Sequence, residues 1–426
     1  MSKFSILSID GGGIRGILPA QWLIRLEREL TAKNRGRLLN VFDLFAGAST
    51  GSIIAAGLAI GKEISTISSM YDKQAKTIFP KSVMCNPLRF WGGSLRPIYN
   101  GVGLGEVLGN VFEDKKLGEV QKRLIVIAFN AGTRTLKLFD SESELDKGYL
   151  LRDIVHASCA APVYFPSKIM NVDGISRPLI DGGVTANNPA ALALAKAMQQ
   201  GHHRENVVLV SLGTGVSARP ITELEGTTRG WVHWAKPIVE VMFDGSSSAN
   251  EIIIDHLLGS HNYFRFQKRD LRTDPALDGS SNDHLKALRN EADNYVDHEL
   301  VRFRKLVEVL SRSDRAPSMG LAGTWRSKYS WFEGGKIQQS RSETLELSVT
   351  GDEVSGKTIK SKFPYSLSGT IDGSYLIGQT TSVEKPFKLK SYFVLRINLN
   401  DEKEMRGRWI GTGDDVYYGE WTLSKT

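Results

Sequence analysis

Cysteine is nearly absent: the 426 residues include two, Cys85 and Cys159. Neither a disulfide framework nor a C-x-x-C motif can be built from that pair, so a reducing compartment is the easier reading. A secretory signal is not expected either. The only apolar stretch at the N-terminus, Phe4 to Ile9, is interrupted by serines and closed by Asp10, which is no signal-peptide core. Long apolar runs are scarce. Val41 to Gly61 has the length of a membrane span, but it carries Asp43, Ser49, Thr50 and Ser52 together with Gly47, Gly51, Gly57 and Gly61. A strand, a turn and a helix explain that pattern better. Charge of one sign is not concentrated either. Lys and Arg number 54, Asp and Glu 47, and the net charge is +7. No basic run is long enough to argue for DNA or RNA, and the mild excess suits solubility or an anionic surface.

What is present is an alternation of strand and helix signals over the first 315 or so residues. Phe4–Ile9, Val41–Ala46, Arg123–Asn130 and Asn206–Leu212 are continuous apolar runs, as expected of strands covered on both faces. Pro178–Asp181 is a shorter one. Amphipathic periodicity predicts helices over Ile17–Asn34, Thr50–Ile60, Leu151–Cys159, Pro189–Gln200 and His284–Leu310. The fold class expected is α/β, a sheet flanked by helices. A polar stretch from Ser311 to Ser318 reads as a linker, giving domains 1–315 and 319–426. Beyond it, eight short segments alternate with period two, with turns at Thr350–Asp352 and Asp372–Gly373. Eight antiparallel strands in succession predict a closed barrel, with a sandwich as the alternative.

Gly11 to Gly16 fits G-x-G-x-x-G between a strand and a helix. A dinucleotide fold needs an acidic residue at the end of the next strand. That strand runs instead into Gly47-Ala-Ser-Thr-Gly51, and no G-K-[ST] follows the glycines, so both nucleotide readings fail. Gly47–Gly51 fits G-x-S-x-G at a strand-to-helix junction, the setting of a nucleophile elbow with Ser49 at its tip. The bland alternative is a helix start capped by Ser49. If Ser49 is a nucleophile, the first loop acquires a use. The N–H groups of Gly12 and Gly13 at a helix N-terminus would hold an oxyanion, with Arg15 adding a cation. Asp181, at a strand end before Gly182 and Gly183, is either a base at the sheet edge or an ordinary Asp-Gly turn. A serine triad would need a histidine; His202, His203, His233, His256, His261, His284 and His298 all follow Asp181, and no motif elects one.

These pieces in this order resemble the patatin-like phospholipases, which carry D-G-G-G-x-R-G, then G-x-S-x-G, then D-G-[GA]. Here they are Asp10–Gly16, Gly47–Gly51 and Asp181–Gly183, with Ala157–Pro166 and Asn187–Pro189 also similar to family segments. The resemblance covers roughly residues 1 to 310. It implies a Ser49–Asp181 dyad with no required histidine, an oxyanion site at Gly12, Gly13 and Arg15, and supporting roles for Gly11, Gly16, Gly47, Gly51, Gly182 and Gly183. It implies hydrolysis of acyl esters of membrane phospholipids, in the cytoplasm at the inner face of the membrane, with no metal or cofactor. Within the family the chain looks most like bacterial enzymes switched on by cyclic nucleotides in anti-phage signalling, on features such as Ile78–Pro80 and Tyr99–Gly101. A cyclic nucleotide activator is therefore an expected partner, and a homo-oligomer is left open. An ungated esterase or lysophospholipase, and an inactive lipid- or nucleotide-binding receptor, are the rival functions.

Asn86–Pro97 mixes aromatic, basic and glycine residues and reads as a membrane-facing flap or as a plain surface loop. Gly323-Thr-Trp325 resembles the start of calycin-type barrels. Such a barrel senses a small ligand, binds lipid or a partner, or is filled by its own side chains. If Arg396, Arg406 and Arg408 point inward, they would pair with phosphates; the alternative is that these alternate positions face solvent.

Overall fold

The computed structural model describes residues 3–80, 96–218, 221–228, 230, 234, 237–273, 276–311, 321–333, 336–337, 341–350, 353–359, 361, 364–372, 375–382, 390–397, 404–412 and 418–426. The chain divides into two compact units, Phe4–Arg312 and Ser313–Thr426. The turns expected at Thr350–Asp352 and Asp372–Gly373, the flap at Asn86–Pro97 and the linker after Ser311 fall wholly or largely outside the described residues.

In the first unit the apolar runs become the centre of an eight-stranded sheet. β1 (Phe4–Ile9) lies between β2 (Leu44–Ala48) and β7 (Val207–Leu212), parallel to both. β3 (Arg123–Asn130) extends the parallel set beyond β2, and β8 (Tyr263–Phe266) extends it beyond β7. Helices α1 (Ile17–Ala32), α2 (Leu38–Val41), α3 (Thr50–Ala59), α4 (Ile64–Ile78), α5 (Val102–Phe112), α6 (Leu151–Ser158), α7 (Ala190–Gln199), α8 (Pro237–Asn262), α9 (Asn282–His298) and α10 (Leu300–Ser311) follow the periodicity where it is strong. Two apolar clusters sandwich the sheet. The larger includes Leu7, Ile9, Trp22, Phe45 and Leu288; the smaller includes Ile6, Leu44, Ala46, Ile127 and Leu194. Successive residues of one strand enter opposite clusters, as a sheet covered on both faces requires. The single helix expected over His284–Leu310 is two, because Glu299 breaks it between α9 and α10 while the apolar stripe continues through.

One part of the sheet is not parallel, and it positions the chemistry. β4 (Thr135–Asp140) pairs antiparallel with β3 over Ile125 to Asn130 and occupies one side of it. β2 pairs with the other side, from Arg123 to Ile127. β6 (Ile175–Asp181), hairpinned to β5 (Lys168–Val172), then takes over that same side for three residues, with Asn130 opposite Leu179 and Ala128 opposite Asp181. β2 and β6 thus meet end to end along β3, Ala48 opposite Ile127 and Asp181 opposite Ala128.

The second unit is a closed antiparallel barrel. Its strands are β9 (Gly323–Glu333), β11 (Arg341–Thr350), β12 (Glu353–Ile359), β13 (Tyr365–Asp372), β14 (Tyr375–Ser382), β15 (Lys390–Ile397), β16 (Glu404–Thr412) and β17 (Tyr418–Lys425), and β17 pairs back onto β9. A two-residue strand, β10 (Lys336–Ile337), turns back along β9. Trp325, Leu345, Leu367, Phe393, Leu395 and Trp421 belong to one buried apolar cluster inside it. Trp325 is fully buried and its Nε1 donates to Leu321 O at 2.8 Å. At Gly378 and Gly407 a Cβ would lie 2.2 and 1.8 Å from the carbonyl oxygens of Ser368 and Val394, so the neighbouring strands approach this closely only because no side chain is present. Arg406 and Arg408 are exposed, so for these two the solvent-facing alternative holds and not the inward, phosphate-pairing one. The alternation that buries Phe393, Leu395 and Met405 turns these two outward. The side chain of Arg396 lies outside those described.

Candidate active site

Ser49 stands where β2 ends and α3 begins, with φ 51° and ψ −128°. A residue with a side chain pays for that left-handed backbone with about 1–3 kcal/mol of strain, which is the geometry of a nucleophile elbow. The turn is tight enough that a Cβ on Gly47 would lie 2.4 Å from Gly51 O, and one on Gly51 would lie 2.2 Å from Ile9 O. Four hydroxyls hold it. Ser49 N–H donates to Ser158 Oγ at 2.9 Å, and Ser158 donates on to Ile127 O at 2.6 Å. Ser52 Oγ donates to Ser49 O at 2.6 Å. Tyr71 Oη and Thr50 Oγ1 are 2.6 Å apart, which ties α4 to the start of α3.

Asp181 arrives from β6 at the level where Ser49 leaves β2. Its carboxyl is fully buried. Oδ1 accepts from Gly183 N–H at 2.7 Å, whereas Oδ2 has no partner that meets hydrogen-bond geometry. Burial pushes the carboxyl up to about 7, against the opposing effects of the Ser49 hydroxyl and the Gly183 amide. A buried carboxyl with one free acceptor beside a serine is poised to take a proton near neutral pH. Gly182 approaches Ile127 O too closely for a side chain, as Gly183 does Phe243 and Asn187.

The glycine loop packs directly on the elbow: a Cβ on Gly11 would lie 2.9 Å from Ser49 Cβ. Its amides divide into used and unused. Gly11 N–H donates to Asn187 O at 3.2 Å and Ile14 N–H to Leu277 O at 2.9 Å. The N–H groups of Gly12 and Gly13 between them have no partner among the described residues. Gly13 sits at φ +57°, with Leu277 O where a Cβ would go. Two free donors at a helix N-terminus beside a serine can hold an oxyanion. Arg15 is buried, its Nε reaching Gly12 O at 3.4 Å, so its charge stays beside the loop. Gly16 lets α1 approach Thr50 and Tyr71.

Sequence reasoning missed the residue that anchors this loop. Arg265 on β8 is buried, and it donates to both oxygens of Asp10, at 2.9 and 2.7 Å. It also donates to Ser211 Oγ at 2.9 Å, while Ser247 Oγ reaches Asp10 Oδ2 at 3.1 Å. Asp10 immediately precedes the glycines, so a charge pair across β7 holds the loop's base. The signal available was an arginine inside the apolar strand Tyr-Phe-Arg-Phe; besides Asp10 and Ser211 it reaches Glu251 Oε2 at 3.4 Å.

Beside Ser49 a cavity runs between α3, α4 and α5, lined by Ile53, Met70, Phe79, Leu104, Phe165 and other apolar groups. No histidine lines it among the described residues. The Cys159 thiol in its wall is pushed up by burial and by the Asp181 charge, so it stays protonated.

The patatin-like phospholipase family model matches residues 7–194. A cGAMP-activated phospholipase from Pseudomonas aeruginosa is 30% identical over 277 residues, covering 62% of this chain and 78% of that protein. The chain belongs to the patatin-like phospholipase family. Patatin-like protein 4 of Arabidopsis thaliana is 27% identical over 339 residues, 70% of this chain and 84% of that one. Patatin-17 of Solanum cardiophyllum is 29% identical over 329 residues, 68% and 83%. As a patatin-like protein, the chain is a serine acyl hydrolase of the phospholipase type. The elbow, the buried carboxyl and the glycine loop all lie within the matched span.

Proposed function

We propose that the protein hydrolyses acyl esters of membrane phospholipids through a Ser49–Asp181 dyad. Ser49 Oγ attacks the ester carbonyl carbon as Asp181 takes its proton. The carbonyl oxygen, now negative, is held by the N–H groups of Gly12 and Gly13, with Arg15 adding positive potential at the loop. Collapse breaks the ester bond, and Asp181 returns the proton to the departing alcohol. A water, deprotonated by Asp181, then attacks the acyl-serine carbonyl; collapse breaks the bond to Ser49 Oγ, Asp181 gives the proton to that oxygen, and the fatty acid leaves. The observation that carries this reading is the register on β3, which puts Asp181 next to the strained Ser49. The apolar cavity is suited to an acyl chain, and the rival of an inactive receptor leaves the strain at Ser49 without a use.

A base that must be ionised, with its carboxyl raised to about 7, fixes the pH dependence. Below that pH Asp181 is neutral and cannot accept a proton; above it the carboxylate is available. kcat/KM for a soluble ester therefore rises through about pH 7 to a plateau. Asp181→Asn removes both the activity and the rising limb. A profile already flat at pH 5 with wild-type activity excludes Asp181 as the base.

Two further parts of the reading have a narrower support. The relative from Pseudomonas aeruginosa is cGAMP-activated, and we read this enzyme as switched on by a cyclic nucleotide too. The resemblance to that bacterial type carries the role in anti-phage defence, in the cytoplasm at the inner face of the membrane. Among the described residues no helix is long and apolar enough to cross a membrane. Fatty-acid release from phospholipid vesicles, measured with and without a panel of cyclic nucleotides, tests the switch. Release that appears only with one nucleotide supports it; equal release without any is the ungated hydrolase.

A further inference from the structure

We propose that Met70 and Ile53 form a partition that sets the length of acyl chain the enzyme accepts, and that the groove behind it receives the end of a long chain. The inference rests on the assignment of Ser49 above and concerns the tail of the same substrate.

Two hollows meet at this partition. The first is the apolar cavity at Ser49. The second opens on the outside between α4 and α5, with Ile67, Val107 and Val111 on its apolar side and Lys62, Lys73 and Asn110 among its polar groups. Among the described residues lining them, Ile53 and Met70 alone are common to both. They are 5% and 8% exposed. A core methionine is ordinarily packed on every side, whereas this one has a cavity in front of it and a groove behind.

The two halves of the partition differ in freedom. Ile53 lies one turn along α3 from Ser49, about 6 Å by helical rise, and a β-branched side chain in a helix has one strongly preferred χ1 rotamer. Met70 is unbranched with three rotatable bonds, so it swings at low cost. The helix that carries it is fixed. Tyr71 is tied to Thr50, and Arg289 binds Ser68 and Asp72 on either side of Met70. What moves is the side chain. With Met70 in place the channel from Ser49 ends at the partition; with Met70 turned aside it continues into the groove, whose apolar side takes the last methylenes. Each buried methylene is worth a several-fold gain, so chain length is read at this point.

The test is the ratio of kcat/KM for p-nitrophenyl palmitate to that for the butanoate, in the ligand state that gives the wild-type protein its highest activity. Met70→Trp is expected to lower the ratio at least tenfold, and Met70→Ala to raise it several-fold. Ile53→Ala, on the other helix, is expected to raise it too, and it keeps the test alive if one Met70 variant fails to fold. Labelling of Ser49 by a fluorophosphonate reports that the elbow is intact in each variant. Ratios equal to wild type in variants that label normally overturn the partition and leave the dyad standing. Absence of any Ser49-dependent hydrolysis in the wild-type protein overturns the dyad, and the partition with it.

Discussion

Ser49→Ala is expected to lower fatty-acid release from phospholipid vesicles by on the order of ten-thousand-fold or more, since a nucleophile that forms the covalent intermediate has no substitute at the site. Thermal stability is expected to stay close to wild type. Alanine keeps the Cβ, so it inherits the strained backbone at φ 51° without adding to it. The hydroxyl lost is one influence on Asp181, whose Oδ1 keeps the Gly183 amide. Activity and stability therefore separate, which a merely structural serine would not allow. Ser49→Gly sharpens the comparison: it removes the same proposed nucleophile and relieves about 1–3 kcal/mol of strain, so an inactive protein that melts higher than wild type is expected. Retention of a tenth of the wild-type rate in either variant, with fluorophosphonate labelling at another residue, would move the nucleophile elsewhere.

The second large effect is expected at Arg265. Arg265→Met leaves the Asp10 carboxyl buried without its counter-ion, with Ser247 Oγ as its remaining side-chain donor. Removing one partner of a buried pair costs about 3–5 kcal/mol, and at roughly 2–4 °C per kcal/mol the melting temperature falls by roughly 5–20 °C. Activity falls as well, because Asp10 holds the base of the loop that offers the Gly12 and Gly13 amides. Arg265→Lys does not rescue, since an ammonium cannot reach both carboxylate oxygens and Ser211 in the same fixed geometry. The double variant Asp10→Asn with Arg265→Met is expected to recover part of the stability, because neither charge is then left alone. Calorimetry and the vesicle assay on the four proteins distinguish a positioning pair from an incidental one. Single variants that melt with wild type would make it incidental.

The contrast between these two residues explains what was legible in the sequence. Ser49 and the glycines announce themselves because the strand, the turn and the helix are consecutive in the chain, and each leaves a local mark. The barrel strands are legible for the same reason: neighbours along the chain are neighbours in the sheet. Arg265 and Asp10 are 255 residues apart, and nothing at either end names the other. The direction of β6 is equally silent. Leu179, Ile180 and Asp181 read the same in a parallel or an antiparallel strand, and only the hairpin with β5 turns the strand over. Met70 reads as one more apolar position on a helical stripe. Its significance comes from the hollows on either side of it, which are properties of packing.

The pairing of β17 with β9 makes the barrel a circle rather than a row. Each strand of the ring from β11 to β16 bonds only to the ring strands before and after it in the chain, and one pair joins the two ends. Sheet formation can therefore run along the chain as a series of short loop closures, and a single distant contact remains to seal it. That one seam decides whether the ring has two open edges or none. An intact seam leaves no strand of the ring with an open edge; a frayed one exposes β9 and β17 together. The resistance of the ring to edge-to-edge association thus rests on the one pair of neighbouring strands that are farthest apart in the chain.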